Sequence, residues 1–154
     1  MIQKLLLAGL VALALAGCEN NKSVFIERIK TKNDMPTAIA KLRAALKSKG
    51  LTYVETIDHA KNARKFGLRL KPETVIVFGN PEIGTKLMTC NPSMGLDLPL
   101  RMLFITNYEG ETSILYTNPE YWSLKHNIKD KTCLAIVRQA HAAMQELAEK
   151  AAAK

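Results

Sequence analysis

Tryptophan occurs once in this 154-residue chain, and histidine and cysteine three times each. No closely spaced His/Cys pair and no Cys-x-x-Cys-His run is present. Nothing local therefore fixes the ligand geometry of a zinc or haem site. The turn Gly79-Asn80-Pro81-Glu82-Ile83-Gly84-Thr85 lacks the Gly-Lys-Ser/Thr ending and the G-x-G-x-x-G spacing that expose successive amides to phosphate. Aromatic–basic ribonucleoprotein motifs and zinc-finger spacings are also missing, which argues against a nucleic-acid partner. There are no internal repeats and no linker between domains. The longest apolar run, Leu5–Ala16, is too short to cross a bilayer as a helix.

The length suffices for one domain with a genuine core. Apolar residues make up 47% of the chain, a share inflated by its first seventeen residues, and the formal net charge is +8. That balance favours anionic partners such as phospholipid or polyanions. The lysines are scattered along the chain, however, and the plainer reading is a solvated surface.

Met1–Lys4 and Leu5–Ala16 have the basic start and apolar body of a secretory leader. The run ends in Leu15-Ala16-Gly17-Cys18, which resembles the lipobox of bacterial lipoproteins. That resemblance implies cleavage before Cys18 and acylation of its thiol, with residues 1–17 as signal peptide and 18–23 as lipidated terminus and tether. Several acyl chains, at about 0.8 kcal/mol per buried methylene, hold a protein on a membrane essentially permanently. Glu19 follows the cysteine where inner-membrane retention signals commonly have Asp. The expected location is the outer membrane, facing the periplasm.

The mature chain opens with a strand expected over Val24–Ile29. Asn33 or Asp34 can cap a helix whose apolar stripe is Met35, Ile39, Leu42 and Leu46 and which ends at Gly50. Leu51–Ile57 reads as a second strand, with Asp58 and His59 at the start of a short helix ending at Gly67. Thr74–Phe78 reads as a central strand covered on both faces. Pro81–Met88 suits a helix, and Asn91-Pro92-Ser93-Met94-Gly95 a corner. Leu98–Asn107 and Glu111–Tyr116 form a hairpin pattern around Tyr108-Glu109-Gly110. A helical segment runs from Asn118-Pro119 to His126. A last helix is capped by Asp130 or Thr132, with Leu134, Val137, His141, Met144 and Leu147 as its stripe. Its tail, Ala148–Lys154, has no apolar anchor larger than alanine and is expected to fray. This order predicts an α+β, two-layer sandwich over residues 24–150: one mostly antiparallel sheet of about five strands with helices on one face.

Several separated motifs carry a family resemblance. They are Ile57-Asp58-His59-Ala60-Lys61-Asn62-Ala63-Arg64, Val77-Phe78-Gly79-Asn80-Pro81, Gly84-Thr85, Leu87-Met88, Leu96-Asp97-Leu98-Pro99-Leu100, Tyr116-Thr117-Asn118-Pro119 and Lys125-His126. Together they resemble the DUF302 family from about Val24 to Glu149. The resemblance implies a single copy of a fold shaped like the TATA-box-binding protein and a tendency to form homodimers. It carries no DNA binding, because a fold alone does not license a function. Cys90 departs from the family pattern, so any cysteine chemistry would be private to this chain.

Five polar residues at element ends, His59, Asn62, Asn80, Asp97 and His126, are the candidate ligand site. Asn80 and Asp97 could equally serve local turns. His59 at a helix N-terminus could be a cap, a base or a metal ligand. His141 lies on an apolar stripe and reads as a hydrogen-bonded core or interface histidine. With Cys18 spent on lipid, Cys90 and Cys133 are left as two thiols in an oxidising compartment. They can pair or stay separate and reduced. Two functions remain open. One is a non-enzymatic, lipid-anchored binding module that needs no cofactor. The other is a metal, haem or redox protein using His59 and His126.

Overall fold

A computed structural model describes residues 25–154. The leader, Cys18 and the tether lie outside the described residues, as does Val24. Five strands, β1 (Ile26–Thr31), β2 (Thr52–Asp58), β3 (Glu73–Gly79), β4 (Leu100–Thr106) and β5 (Thr112–Thr117), form one sheet. Its order is β1-β5-β4-β3-β2, and every neighbouring pair is antiparallel. Five helices connect and cover it: α1 (Met35–Ser48), α2 (His59–Lys65), α3 (Pro81–Cys90), α4 (Tyr121–Lys125) and α5 (Lys131–Ala152). A 3-10 helix, Pro92–Leu96, follows α3.

Caps set most of the helix starts. Asp34 accepts from the Thr37 amide, Asp58 from Lys61, Asn80 from Glu82 and Ile83, and Asp130 from Cys133. Each satisfies donors that the first helical turn leaves without partners. Gly50 and Gly67 close α1 and α2 at φ values of 64° and 70°, in the left-handed region that glycine enters without steric cost.

Alternation along the strands places Ile76, Phe78, Met102, Phe104, Ile114 and Tyr116 under Leu42, Leu46, Met144 and Leu147 of α1 and α5. This is the main core. The reading of β3 as covered on both faces holds in part: Ile76 and Phe78 lie in that core, and on the opposite face Val77 is buried while Val75 is half-buried. On the opposite face Ile57, Val75, Leu103 and Leu115 stand directly beside one another across four strands, each half-buried.

The expected fraying of the tail is also corrected. Helix α5 runs to Ala152, with Ala148 and Ala151 fully buried. Alanine's small size lets the helix lie close against its neighbours. The last carbonyls are taken up as well: Thr31 Oγ1 donates to Ala152 O at 2.9 Å and Asn33 Nδ2 to Ala153 O at 2.6 Å. Those bonds satisfy acceptors that a helix end otherwise leaves to water.

Candidate functional site

A second apolar cluster packs beside the main core and builds the site. Leu87 of α3, Met94, Trp122 of α4, Ile128 and Val137 of α5 are its buried members. Cys90, the last residue of α3, is joined to Cys133 in the first turn of α5 by a disulfide with Cα atoms 6.1 Å apart. The bridge pins one end of α3 against α5. Away from that pin the two helices stand apart and leave a cavity of about 480 Å³.

Four groups of residues line it. Ile83, Gly84, Leu87 and Met88 come from α3, and Gln139, Ala140, Ala143 and Leu147 from α5. Leu98, Pro99, Leu100 and Trp122 close one side, and Leu51, Thr52 and Val54 at the edge of the sheet close another. No charged side chain lines it; the polar groups are Thr52, Asn80, Thr85 and Gln139. Three glycines, Gly79, Gly84 and Gly95, belong to the wall. Gly84 sits inside α3, where glycine costs about 1 kcal/mol relative to alanine. A Cβ there would meet only Leu98 Cδ1 at 3.7 Å, so the missing side chain leaves open space rather than relieving a clash.

Behind the wall lies a polar network around His126, a residue only 3% exposed. Its Nε2 is 2.5 Å from Asp97 Oδ2 and its Nδ1 is 2.6 Å from Ser93 Oγ. Lys125 Nζ donates to the other oxygen of Asp97 at 2.9 Å. Partial burial pushes the Asp97 carboxyl up, but the hydrogen bonds from Lys125 and His126 and their charges outweigh it and hold it below the ordinary carboxylate range. The anionic Asp97 accepts from Nε2–H, and at the other ring nitrogen Nδ1 faces Ser93 Oγ, which itself donates to Asn91 Oδ1 at 2.8 Å.

The order Asp–His–Ser is that of an activated nucleophile. Around Ser93 the remaining parts are already engaged. Its own amide donates to Asn91 Oδ1, the Met94 amide donates to Asn91 O, and Asn91 Oδ1 lies 2.8 Å from Ser93 Oγ as a competing acceptor. Neither amide is left to hold a developing oxyanion. Asn91 Nδ2 also donates to His126 O at 2.7 Å. The network thus straps the 3-10 helix to the end of α4 and fixes the position of Trp122 in the cavity wall, with Met94 buried in the same apolar cluster.

The five residues expected to converge do not form one site. Asn80 is at the cavity, where its Oδ1 caps α3 at 2.9 Å from the Glu82 amide. Asp97 and His126 meet in the strap. His59 and Asn62 lie elsewhere, and the reason is topological. Thr52 pairs with Gly79 and Asp58 with Thr74, so six residues of strand separate the end that bears Asn80 from the end that bears His59. That is about 20 Å. A metal or haem ligated by both His59 and His126 has no common coordination sphere here. Asn62 is exposed and accepts from Lys65 Nζ at 3.2 Å. His141 is half-buried, 3.5 Å from Glu120. Among the described residues no cluster of three or more His, Cys, Asp or Glu is placed to hold a metal ion, and no described helix is long and apolar enough to cross a membrane.

Residues 27–151 match the profile of a domain of unknown function, DUF302. The chain belongs to the DUF302 family. The crystal structure of an uncharacterized conserved protein DUF302 from Bacillus stearothermophilus superposes with a TM-score of 0.75 at 18% identity, covering 84% of this chain and 99% of that one. At that identity the likeness shows the fold alone. The chain is also 31% identical over 108 residues to the fluoride-specific ion channel FluC 1 of Brucella suis biovar 1, and 31% identical over 108 residues to FluC 1 of Brucella abortus biovar 1. Each match covers 70% of this chain but only 42% and 40% of those proteins. The chain spans about two fifths of the curated relatives it matches.

Ser93, Asn91 and Gly84 were missed as site residues. The Asn-Pro-Ser turn signal and a lone glycine inside a helical pattern were the only hints in the sequence.

Proposed function

We propose that this chain is a lipid-anchored, non-enzymatic binding module of the bacterial cell envelope, and that it takes an uncharged, apolar small ligand into the cavity between α3 and α5. The cavity carries the proposal: about 480 Å³ of space walled by apolar side chains and three glycines, with four neutral polar groups at hand. That size and that lining suit a small molecule held by its apolar surface and oriented by a few hydrogen bonds. Asn80 spends its Oδ1 on the α3 cap and keeps its Nδ2 for such a contact. Fluoride is not part of the proposal, because a wall without cations offers a small anion no counter-charge.

The leader supports the anchor at Cys18 and an outer-membrane address facing the periplasm. The Cys90–Cys133 disulfide is in keeping with an oxidising compartment. The row Ile57–Val75–Leu103–Leu115 supports a homodimer formed through the sheet face away from α1 and α5.

The test uses N-phenyl-1-naphthylamine, a neutral apolar fluorophore, titrated into wild type and Gly84→Met. Wild type is expected to bind saturably. The added side chain grows from α3 into the cavity, so the variant should bind at least tenfold more weakly while melting no lower than wild type. Equal affinity in the two proteins, or no saturable binding by wild type, would sink the ligand proposal. Radioactive palmitate tests the anchor separately: wild type should be labelled and Cys18→Ser should not.

A further inference from the structure

The end of the sheet farthest from the cavity carries a feature that the binding module does not use. Residues 59–72 include Lys61, Arg64, Lys65, Arg69 and Lys71 and no acidic residue. Within the same stretch Phe66 is 81% exposed, Leu68 64% and Leu70 44%. Isolated apolar residues on a surface are ordinary, but three in five residues amid five cations are not.

Their outward placement is held by backbone hydrogen bonds. Leu68 N donates to Ala63 O and Gly67 N to Arg64 O, each at 3.1 Å. This is the Schellman closure of α2. It usually buries the residue after the glycine against one a turn earlier. Here that earlier residue is Ala63, too small to cover Leu68, and the leucine stays in water. Beyond it, Thr106 N donates to Pro72 O at 3.0 Å, which ties the stretch to β4. The Lys71 ammonium lies over the ring of Tyr108, itself 91% exposed on the β4–β5 turn.

None of the five cations pairs with a carboxylate among the described residues. The nearest acids along the chain and on the turn are Asp58, Glu73, Glu109 and Glu111. Asp58 caps α2 and Glu111 pairs with Lys30.

We propose that the tip formed by residues 61–71 and Tyr108 docks on an anionic phospholipid surface, with Phe66, Leu68 and Leu70 entering the headgroup–acyl boundary and the cations meeting the phosphates. A duplex or an acidic protein would satisfy the charges and leave three apolar side chains in water. A bilayer with anionic headgroups takes both. Docking by this tip points the cavity end, some 20 Å away along the strands, out from the membrane. The proposal does not depend on the anchor.

Both apolar clusters lie wholly within residues 25–154, so that segment carries the core a domain needs to fold alone. That segment, without the leader and Cys18, is sedimented with vesicles of phosphatidylcholine, alone or mixed with phosphatidylglycerol. Binding is expected only to the mixed vesicles and should fall with added salt. Each of Lys61→Gln and Lys65→Gln should lower the partition coefficient about fivefold. Phe66→Ser with Leu68→Ser leaves the charge unchanged and should lower it at least tenfold, with circular dichroism unaltered because both side chains are exposed. Phe66→Trp should show a blue-shifted emission on mixed vesicles. Equal binding of wild type and the double serine variant, no blue shift, preferential binding to polyglutamate or a DNA duplex, or self-association lost with the serines in place of vesicle binding would each overturn it.

Discussion

Removing the Cys90–Cys133 disulfide tests how the cavity wall is held. The bridge closes a loop of 43 residues that contains the 3-10 helix, β4, β5 and α4. Constraining such a loop in the unfolded chain is worth about 4 kcal/mol in the chain-entropy model. The half-buried Cys133 packs on the Trp122 cluster, so its replacement by serine adds a smaller packing loss. The double variant Cys90→Ser/Cys133→Ser should therefore lose about 4 kcal/mol of unfolding free energy in urea. Its m value should also rise, because a chain freed of the loop exposes more surface when unfolded. Binding of N-phenyl-1-naphthylamine should weaken too, since the pinned end of α3 sets the cavity's width. A loss below about 1 kcal/mol with an unchanged m would refute the reasoning. So would two alkylated thiols in the intact mass of wild type under non-reducing conditions.

Three further outcomes are expected. His126→Ala leaves Ser93 and a partly buried Asp97 without their ring partner and opens space behind Trp122, which should cost about 3 kcal/mol; a urea midpoint equal to wild type would argue against the strap. Tyr116 is pushed up to about 12 by burial and by the charges of Glu27 and Glu149. Its folded pKa lies above its unfolded one, so the stability it contributes is present below pH 10 and lost as pH rises through about 12. That loss is at most about 2–3 kcal/mol, and Tyr116→Phe should abolish it in alkaline unfolding curves. Leu103→Glu places a charge in the middle of the apolar row on the sheet's outer face, and sedimentation equilibrium should show a dimer in wild type and a monomer in the variant.

The parts of the fold that depend on neighbours in sequence were legible. Asp58 caps α2 as its position suggests, Asp34 and Asp130 are the ones that cap out of two candidates each, and Asn80, read as a turn residue, caps α3. Apolar, β-branched runs bounded by turn residues located all five strands. Small residues misled the reading in two places. The alanines of the tail looked too slight to anchor a helix, yet their size is what lets α5 lie against its neighbours with Ala148 and Ala151 fully buried. Gly84 stood only as part of a turn without phosphate-loop spacing, whereas its missing side chain leaves space at the cavity wall.

The candidate site failed as a single constellation for a reason that local pattern does not carry. Five polar residues at element ends look alike until the strand directions are known. In an antiparallel sheet the ends of two successive paired strands lie at opposite edges. His59 follows β2 and Asn80 follows β3, and β2 pairs with β3, so those two residues cannot meet. Asp97 precedes β4, which runs back beside β3 from the same edge where β3 ends: Phe78 pairs with Leu100. That alone returns Asp97 to the neighbourhood of Asn80, and the α4 turn then delivers His126 to it. The sheet thereby sorts the polar corners into two ends with different chemistry. One end encloses an apolar cavity behind a histidine strap, and the other exposes cations around Phe66, Leu68 and Leu70. On the two proposed roles, a ligand in the cavity and a membrane against the far tip, a strand's length of separation leaves the mouth of the cavity clear when the tip docks.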